Sequence, residues 1–128
     1  MVTARQILSL ADEIAKKFSP QKIILFGSYA YGTPTLDSDV DLMVVTNYRG
    51  PSYRKEAQIR LALDRSISID VHVRSPTEID KRIAIDDFFF MDILEQGMVL
   101  YDAHDRGVGE KGRRRLRRHL SRPTLEKV

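Results

Sequence analysis

The sequence contains no cysteine among its 128 residues, and it also contains no tryptophan. The absence of cysteine excludes disulfide bonds, thiolate metal sites and cysteine nucleophiles. Only three histidines are present, at positions 72, 104 and 119, so a histidine-rich zinc centre is not expected. No apolar run approaches the roughly 18 residues of a membrane span. The sequence therefore predicts no membrane segment.

Length and composition favour one globular domain. A chain of 128 residues lies in the usual range of about 100–150 residues for a domain, and a hydrophobic content of 42% argues against wholesale disorder. Asp12, Glu13, Lys16 and Lys17 lie where a signal peptide would keep an apolar stretch. We therefore expect a cytoplasmic protein.

The net charge of +3 conceals an asymmetry along the chain. Residues 103–128 carry nine Lys and Arg against three acids, giving +6, and residues 1–102 carry 12 against 15, giving −3. Because glycines at 107, 109 and 112 disfavour a helix, residues 103–128 are predicted to be a basic, flexible tail outside a domain of residues 1–102. The tail is either a solvated extension or a contact site for nucleic acid or an acidic partner.

Hydrophobic periodicity predicts alternating helices and strands. Helices are predicted over residues 4–18, 53–64, 77–85 and 86–96, and strands over residues 23–26, 40–45, 67–73 and 98–101. In the second helix, Ala57, Leu61, Ala62 and Leu63 are expected to face the core. This alternation favours an α/β or α+β sheet domain.

Three aspartates are predicted to converge on this sheet. Asp39 and Asp41 are two residues apart at the start of a strand, so their side chains point to the same face. Asp70 lies on the polar face of the strand over residues 67–73, and the three carboxylates meet if the two strands are neighbours. A pair of Mg²⁺ ions would supply the counter-charge that such a cluster requires. A plain polar turn is the alternative, but it does not explain Asp41 inside an apolar strand.

Gly27 and Ser28 precede these aspartates in the segment GSYAYGTPTLDSDVDL. Gly27 allows close approach of the backbone to a phosphate, and Ser28 offers a hydroxyl and an amide. A phosphate cradle beside a carboxylate metal site is suited to nucleotidyl transfer.

The segment resembles the nucleotidyltransferases of DNA polymerase beta-like fold. Gly27-Ser28, ten intervening residues and Asp39-Val40-Asp41 match the GS-x10-DxD pattern of the minimal nucleotidyltransferases (MNT), and Ser38 completes the SDxDL form. Asp70 stands where that family has its third carboxylate. The resemblance covers about residues 5–102, and it implies a mixed β-sheet flanked by helices.

The resemblance also implies the chemistry. Transfer of AMP from ATP to a hydroxyl would require two Mg²⁺ ions, with Asp39, Asp41 and Asp70 as catalytic residues and metal ligands. Asp70 would also help to deprotonate the acceptor. Gly27 and Ser28, with Ser38, would bind the nucleotide.

Minimal members of this family often pair with a small helical HEPN protein as a toxin–antitoxin module. The MNT antitoxin adenylylates a tyrosine of the HEPN ribonuclease toxin, and we expect this role here. The chain is expected to lack a second substrate domain, which favours a protein acceptor. The alternatives are a non-catalytic module that neutralises a partner by binding, and a nucleotidyltransferase acting on a small molecule such as an aminoglycoside.

Overall fold

The computed structural model describes residues 1–121 as four strands and six helices. In chain order they are α1 (Ala4–Phe18), β1 (Lys22–Phe26), α2 (Ser28–Tyr31), β2 (Val40–Val45), α3 (Ser52–Leu61), β3 (Ile69–Arg74), α4 (Pro76–Ala84), α5 (Phe88–Gln96), β4 (Met98–Asp102) and α6 (Arg106–Ser121).

The strands form one mixed sheet in the order β3-β2-β1-β4. β2 and β3 run parallel, whereas β1 pairs antiparallel with both β2 and β4. Side chains from α1, α3 and α6 pack on one face of the sheet, and α4 and α5 cover part of the other. The predicted fold, a mixed sheet flanked by helices, is confirmed.

Helix α1 has the bounds that its periodicity predicts. Thr3 and Gln6 form a capping box that satisfies amide groups at its beginning. Its apolar stripe is buried at Ile7, Leu8, Leu10, Ala11 and Ile14. This helix contributes a large share of the core on its face of the sheet.

The prediction for helix α3 was partly wrong. Leu61 is 66% exposed, whereas Ile59 and Leu63 are buried in the core. Leu61 is the last residue of α3 and lies roughly 200° around the helix from Ile59, so it faces away from the core. Leu63 packs into the core from just beyond the end of the helix. Three consecutive apolar residues did not distinguish between these faces.

The prediction of a flexible tail was wrong for residues 106–121. These residues form α6, which packs along β4 and buries Leu116 completely. The glycines favour this packing, because a Cβ at Gly112 would overlap the carbonyl oxygen of Val99. Arg113 donates to the Leu100 carbonyl at 2.8 Å and pairs with Asp12 of α1 at 2.6 Å. Residues 122–128, the last part of the predicted tail, lie outside the described residues.

None of the helices within residues 1–121 is long and apolar enough to cross a membrane. This agrees with the hydropathy of the sequence.

Candidate active site

Asp41 and Asp70 are direct neighbours on adjacent strands. The parallel register of β2 and β3 pairs Asp41 with Asp70, and the antiparallel register of β1 and β2 pairs Asp41 with Phe26. Both carboxylates therefore lie on the sheet face that α4 and α5 cover only in part. The neighbouring strands that the three-aspartate prediction required are present.

Asp39 lies one residue before β2 and is held to the beginning of β3. Its carboxylate accepts a hydrogen bond from the Ser68 hydroxyl. The amide of Val40 donates to the Ser68 carbonyl at 2.9 Å, which extends the β2–β3 pairing to this point. The structure thus brings Asp39 to the same edge of the sheet as Asp41 and Asp70.

Gly27 leaves room for the Asp41 carboxylate because it has no side chain. It has φ +75° and ψ −154°, a conformation that is essentially restricted to glycine. A Cβ at this position would overlap Oδ2 of Asp41. Glycine is therefore needed here both for the backbone conformation and for the position of the Asp41 carboxylate.

Ser28 begins the single turn of α2 immediately after Gly27. The Gly27 carbonyl accepts the amides of Ala30 and Tyr31, both at 3.0 Å. Tyr29 is buried, and its hydroxyl accepts the Val2 amide at 3.1 Å. These contacts close the turn and hold it next to the segment that precedes α1.

Ser38 has a partner within its own loop. Its hydroxyl accepts the amide of Thr35 at 2.8 Å, and its amide donates to the Thr35 carbonyl at 3.1 Å. These bonds close the turn that leads into β2. The predicted contact of Ser38 with nucleotide stays a prediction.

The electrostatics of the site centre on Asp41. Partial burial, together with the negative charges of Asp70 and Asp39, raises the pKa of Asp41 from 3.8 to about 6, and His72 opposes the shift. The cluster therefore carries more negative charge than its surroundings compensate. A bound cation would relieve this repulsion.

The donor chemistry of the site fits Mg²⁺, which prefers carboxylate oxygens. Within residues 1–121, however, no three acidic or histidine side chains are arranged to hold one ion as they stand. Asp39 is bonded to Ser68, and Asp70 lies 3.2 Å from Nε2 of His72. To act together as ligands of one ion, the aspartate side chains would have to change rotamer.

An aromatic wall formed by Phe26, His72 and Phe89 borders the carboxylates, and no motif of the sequence predicted it. The ring centroid of His72 lies 5.5 Å from that of Phe26 and 6.0 Å from that of Phe89. Phe90 is buried, Phe89 is half-exposed and Phe88 is largely exposed, as successive positions of a helix require. The run of three phenylalanines was the available signal, but it did not show that Phe89 would reach His72.

Comparison with known proteins is consistent with this geometry. The model of the family described as "Nucleotidyltransferase domain" matches residues 7–97, so the chain belongs to this nucleotidyltransferase family. The matched segment includes every residue predicted for the site.

Two relatives extend the comparison. A protein of Methanocaldococcus jannaschii named "Putative protein adenylyltransferase" is 37% identical over 81 residues, which cover 63% of this chain and 78% of that protein. The crystal structure of a "putative nucleotidyltransferase" from Sulfolobus solfataricus superposes with a TM-score of 0.57 at 15% identity, covering 80% of this chain and 83% of the other. The second match shows the shared fold.

Proposed function

We propose that this nucleotidyltransferase transfers AMP from ATP to a protein hydroxyl in a Mg²⁺-dependent reaction. The observation that carries the proposal is the pairing of Asp41 with Asp70 across two parallel strands, with Gly27 directly against Asp41. The best acceptor is a tyrosine of a cognate HEPN ribonuclease toxin, which would make this chain the antitoxin.

The residues of the site would have separate roles in the reaction. Gly27 and Ser28 would bind the triphosphate through backbone and hydroxyl groups. Asp39, Asp41 and Asp70 would hold magnesium, which supplies positive charge to the phosphates. The acceptor oxygen forms a bond to the α-phosphorus, the bond from that phosphorus to the bridging oxygen breaks, and pyrophosphate leaves. Asp70, which is half-exposed, would accept the proton from the hydroxyl.

The choice of a protein acceptor has separate support. The Methanocaldococcus jannaschii relative carries the name of a protein adenylyltransferase. The HEPN partner is supported by the resemblance of the Gly27–Leu42 segment to the minimal nucleotidyltransferases of toxin–antitoxin modules.

Labelling with ATP that carries radioactive α-phosphate tests the proposal. The protein is incubated with Mg²⁺ and either a host lysate or a purified candidate HEPN protein from the same organism, and the products are separated on a denaturing gel. Asp39→Asn/Asp41→Asn should reduce labelling on the order of 1,000-fold, because metal ligation contributes several kcal/mol to such transfers. Chelation with EDTA should have the same effect.

Asp37→Asn is the matched control, since Asp37 is an exposed acid of the adjoining turn and should not alter labelling. Equal labelling by the double variant and the parent protein would contradict the mechanism. Label that enters a small molecule instead of a protein band would identify the small-molecule alternative. Neutralisation of the toxin without any transfer, by parent and variant alike, would identify a binding module.

A further inference from the structure

Helix α6 exposes a dense group of cations. Within little more than two helical turns, five exposed side chains carry a positive charge. We call this group the cationic face, and its members are Lys111, Arg114, Arg115, Arg117 and Arg118. Arg113 differs from them, because it pairs with Asp12. Among residues 1–121, no carboxylate forms an ion pair with any member of the cationic face.

The spacing of these charges opposes helix formation. Lys111, Arg114 and Arg117 follow one another at intervals of three residues, and Arg118 lies four residues after Arg114. Like charges at these intervals are neighbours on the helix surface and destabilise it. Packing of Leu116 holds the helix together, and a polyanion on the cationic face would remove the repulsion.

The composition of the cationic face favours nucleic acid over protein as the occupant. The exposed positions between Lys111 and Arg118 include no apolar or aromatic side chain. Protein interfaces usually have an apolar, aromatic-rich core, whereas nucleic-acid interfaces are polar and strongly positive. Arginine, which supplies four of the five cations, also matches phosphate with a planar, bidentate donor set.

The cationic face borders a cavity, and its charge is opposite to that of residues 1–102. Arg115 and Arg118, together with His119, line a cavity of about 320 Å³ with Ala30 of α2 and Met98 of β4. Residues 1–102 carry a net charge of −3, so a polyanion would be repelled by the body and attracted to α6.

We propose that the cationic face of α6 binds the phosphate backbone of nucleic acid. Binding of this kind depends on charge and not on base sequence, and its affinity falls steeply with salt. The role is separate from nucleotidyl transfer and does not require Asp39 or Asp41.

Fluorescence anisotropy with a labelled single-stranded RNA of mixed sequence tests this, using the full chain. Arg114→Gln/Arg117→Gln/Arg118→Gln should weaken binding at least about tenfold and reduce the slope of log K against log salt by about 2. Arg54→Gln/Arg60→Gln/Arg65→Gln is the control, because it removes three exposed arginines elsewhere and leaves the same net charge. It should bind within about twofold of the parent.

A thermal unfolding curve of each variant verifies that it is folded, and Arg→Lys at the same three α6 positions should retain binding. Equal weakening by both Gln variants would overturn the proposal, because net charge alone would then explain the affinity. No binding by the parent protein at low salt would also overturn it. Tighter binding of polyglutamate than of RNA would reassign the face to an acidic protein. A single-stranded DNA of the same sequence should bind similarly to the RNA.

Discussion

Gly27 belongs to the GS part of the GS-x10-DxD motif, and Asp41 belongs to the DxD part. A loop separates the two parts in the sequence, but the two residues are in contact in the structure. The Asp41 carboxylate occupies the space that a side chain at position 27 would need. The glycine of the phosphate-binding turn therefore also fixes the position of a carboxylate. A substitution at Gly27 would affect both the predicted binding of phosphate and the predicted ligation of metal by Asp41.

Substitution of Gly27 by alanine should abolish transfer while the protein remains folded. The new Cβ would displace the Asp41 carboxylate, and the backbone at φ +75° would be strained by about 1–3 kcal/mol. Initial rates of labelling and the unfolding midpoint in urea measure the two effects separately.

Gly50→Ala is the control for strain. Gly50 has φ +74°, but apart from its two chain neighbours no described residue lies within 4 Å of the position of its Cβ. This variant should lose stability and retain activity. If Gly27→Ala is as active as Gly50→Ala, the contact with Asp41 does not matter for the reaction.

At the residue scale, backbone position was predictable and side-chain orientation was not. Alternation along β3 predicted that Asp70 would face away from Val71, and the register places it opposite Asp41. The bonds from Asp39 to Ser68 and from Asp70 to His72 depend on rotamers, which a sequence pattern does not specify. The hydrogen bonds by which Ser38 closes its turn likewise depend on local side-chain geometry that a sequence pattern does not specify.

At the scale of elements, amphipathic and alternating patterns predicted well and glycine-containing segments did not. α1 and β2 have the predicted bounds because each has a clear apolar pattern. α6 was missed because helix propensity treats glycine as unfavourable in isolation. Contact between Gly112 and the backbone of Val99 outweighs that propensity, and it becomes visible only when β4 is in place.

Gly112→Ala should destabilise the protein by about 1–3 kcal/mol or more, because a methyl group there would push α6 away from β4. Gly107→Ala is the matched substitution in the same helix. Its Cβ would approach only Oδ1 of Asp105, at 3.3 Å, so a change of less than about 0.5 kcal/mol is expected. Chemical denaturation compares the two, and equal effects would show that α6 does not pack closely on β4.

For the molecule as a whole, α6 is part of the core and not an appendage. Leu116 is completely buried among residues of α1 and the sheet, and Arg113 connects α6 to Asp12 across 101 positions of sequence. The family match ends at residue 97, so a sequence comparison alone would not include this helix in the domain.

A chain that ends at Ala103 should therefore fail to unfold cooperatively, since it lacks the cover for one face of β4. Leu116→Ala tests the same contact more gently and should cost about 2–5 kcal/mol. Leu36→Ala is the control, because Leu36 is 83% exposed, and it should change stability by less than about 0.5 kcal/mol. A normal melting transition for the shortened chain would contradict this account of α6.

The pairing of β1 with β4 also has a consequence for synthesis on the ribosome. Lys22 pairs with Asp102, so β1 has only one neighbour until almost the whole described chain has been translated. Until then its second edge is open to pairing with other chains. Nascent chains of this protein should therefore depend on chaperones until β4 and α6 have emerged and cover this edge of β1.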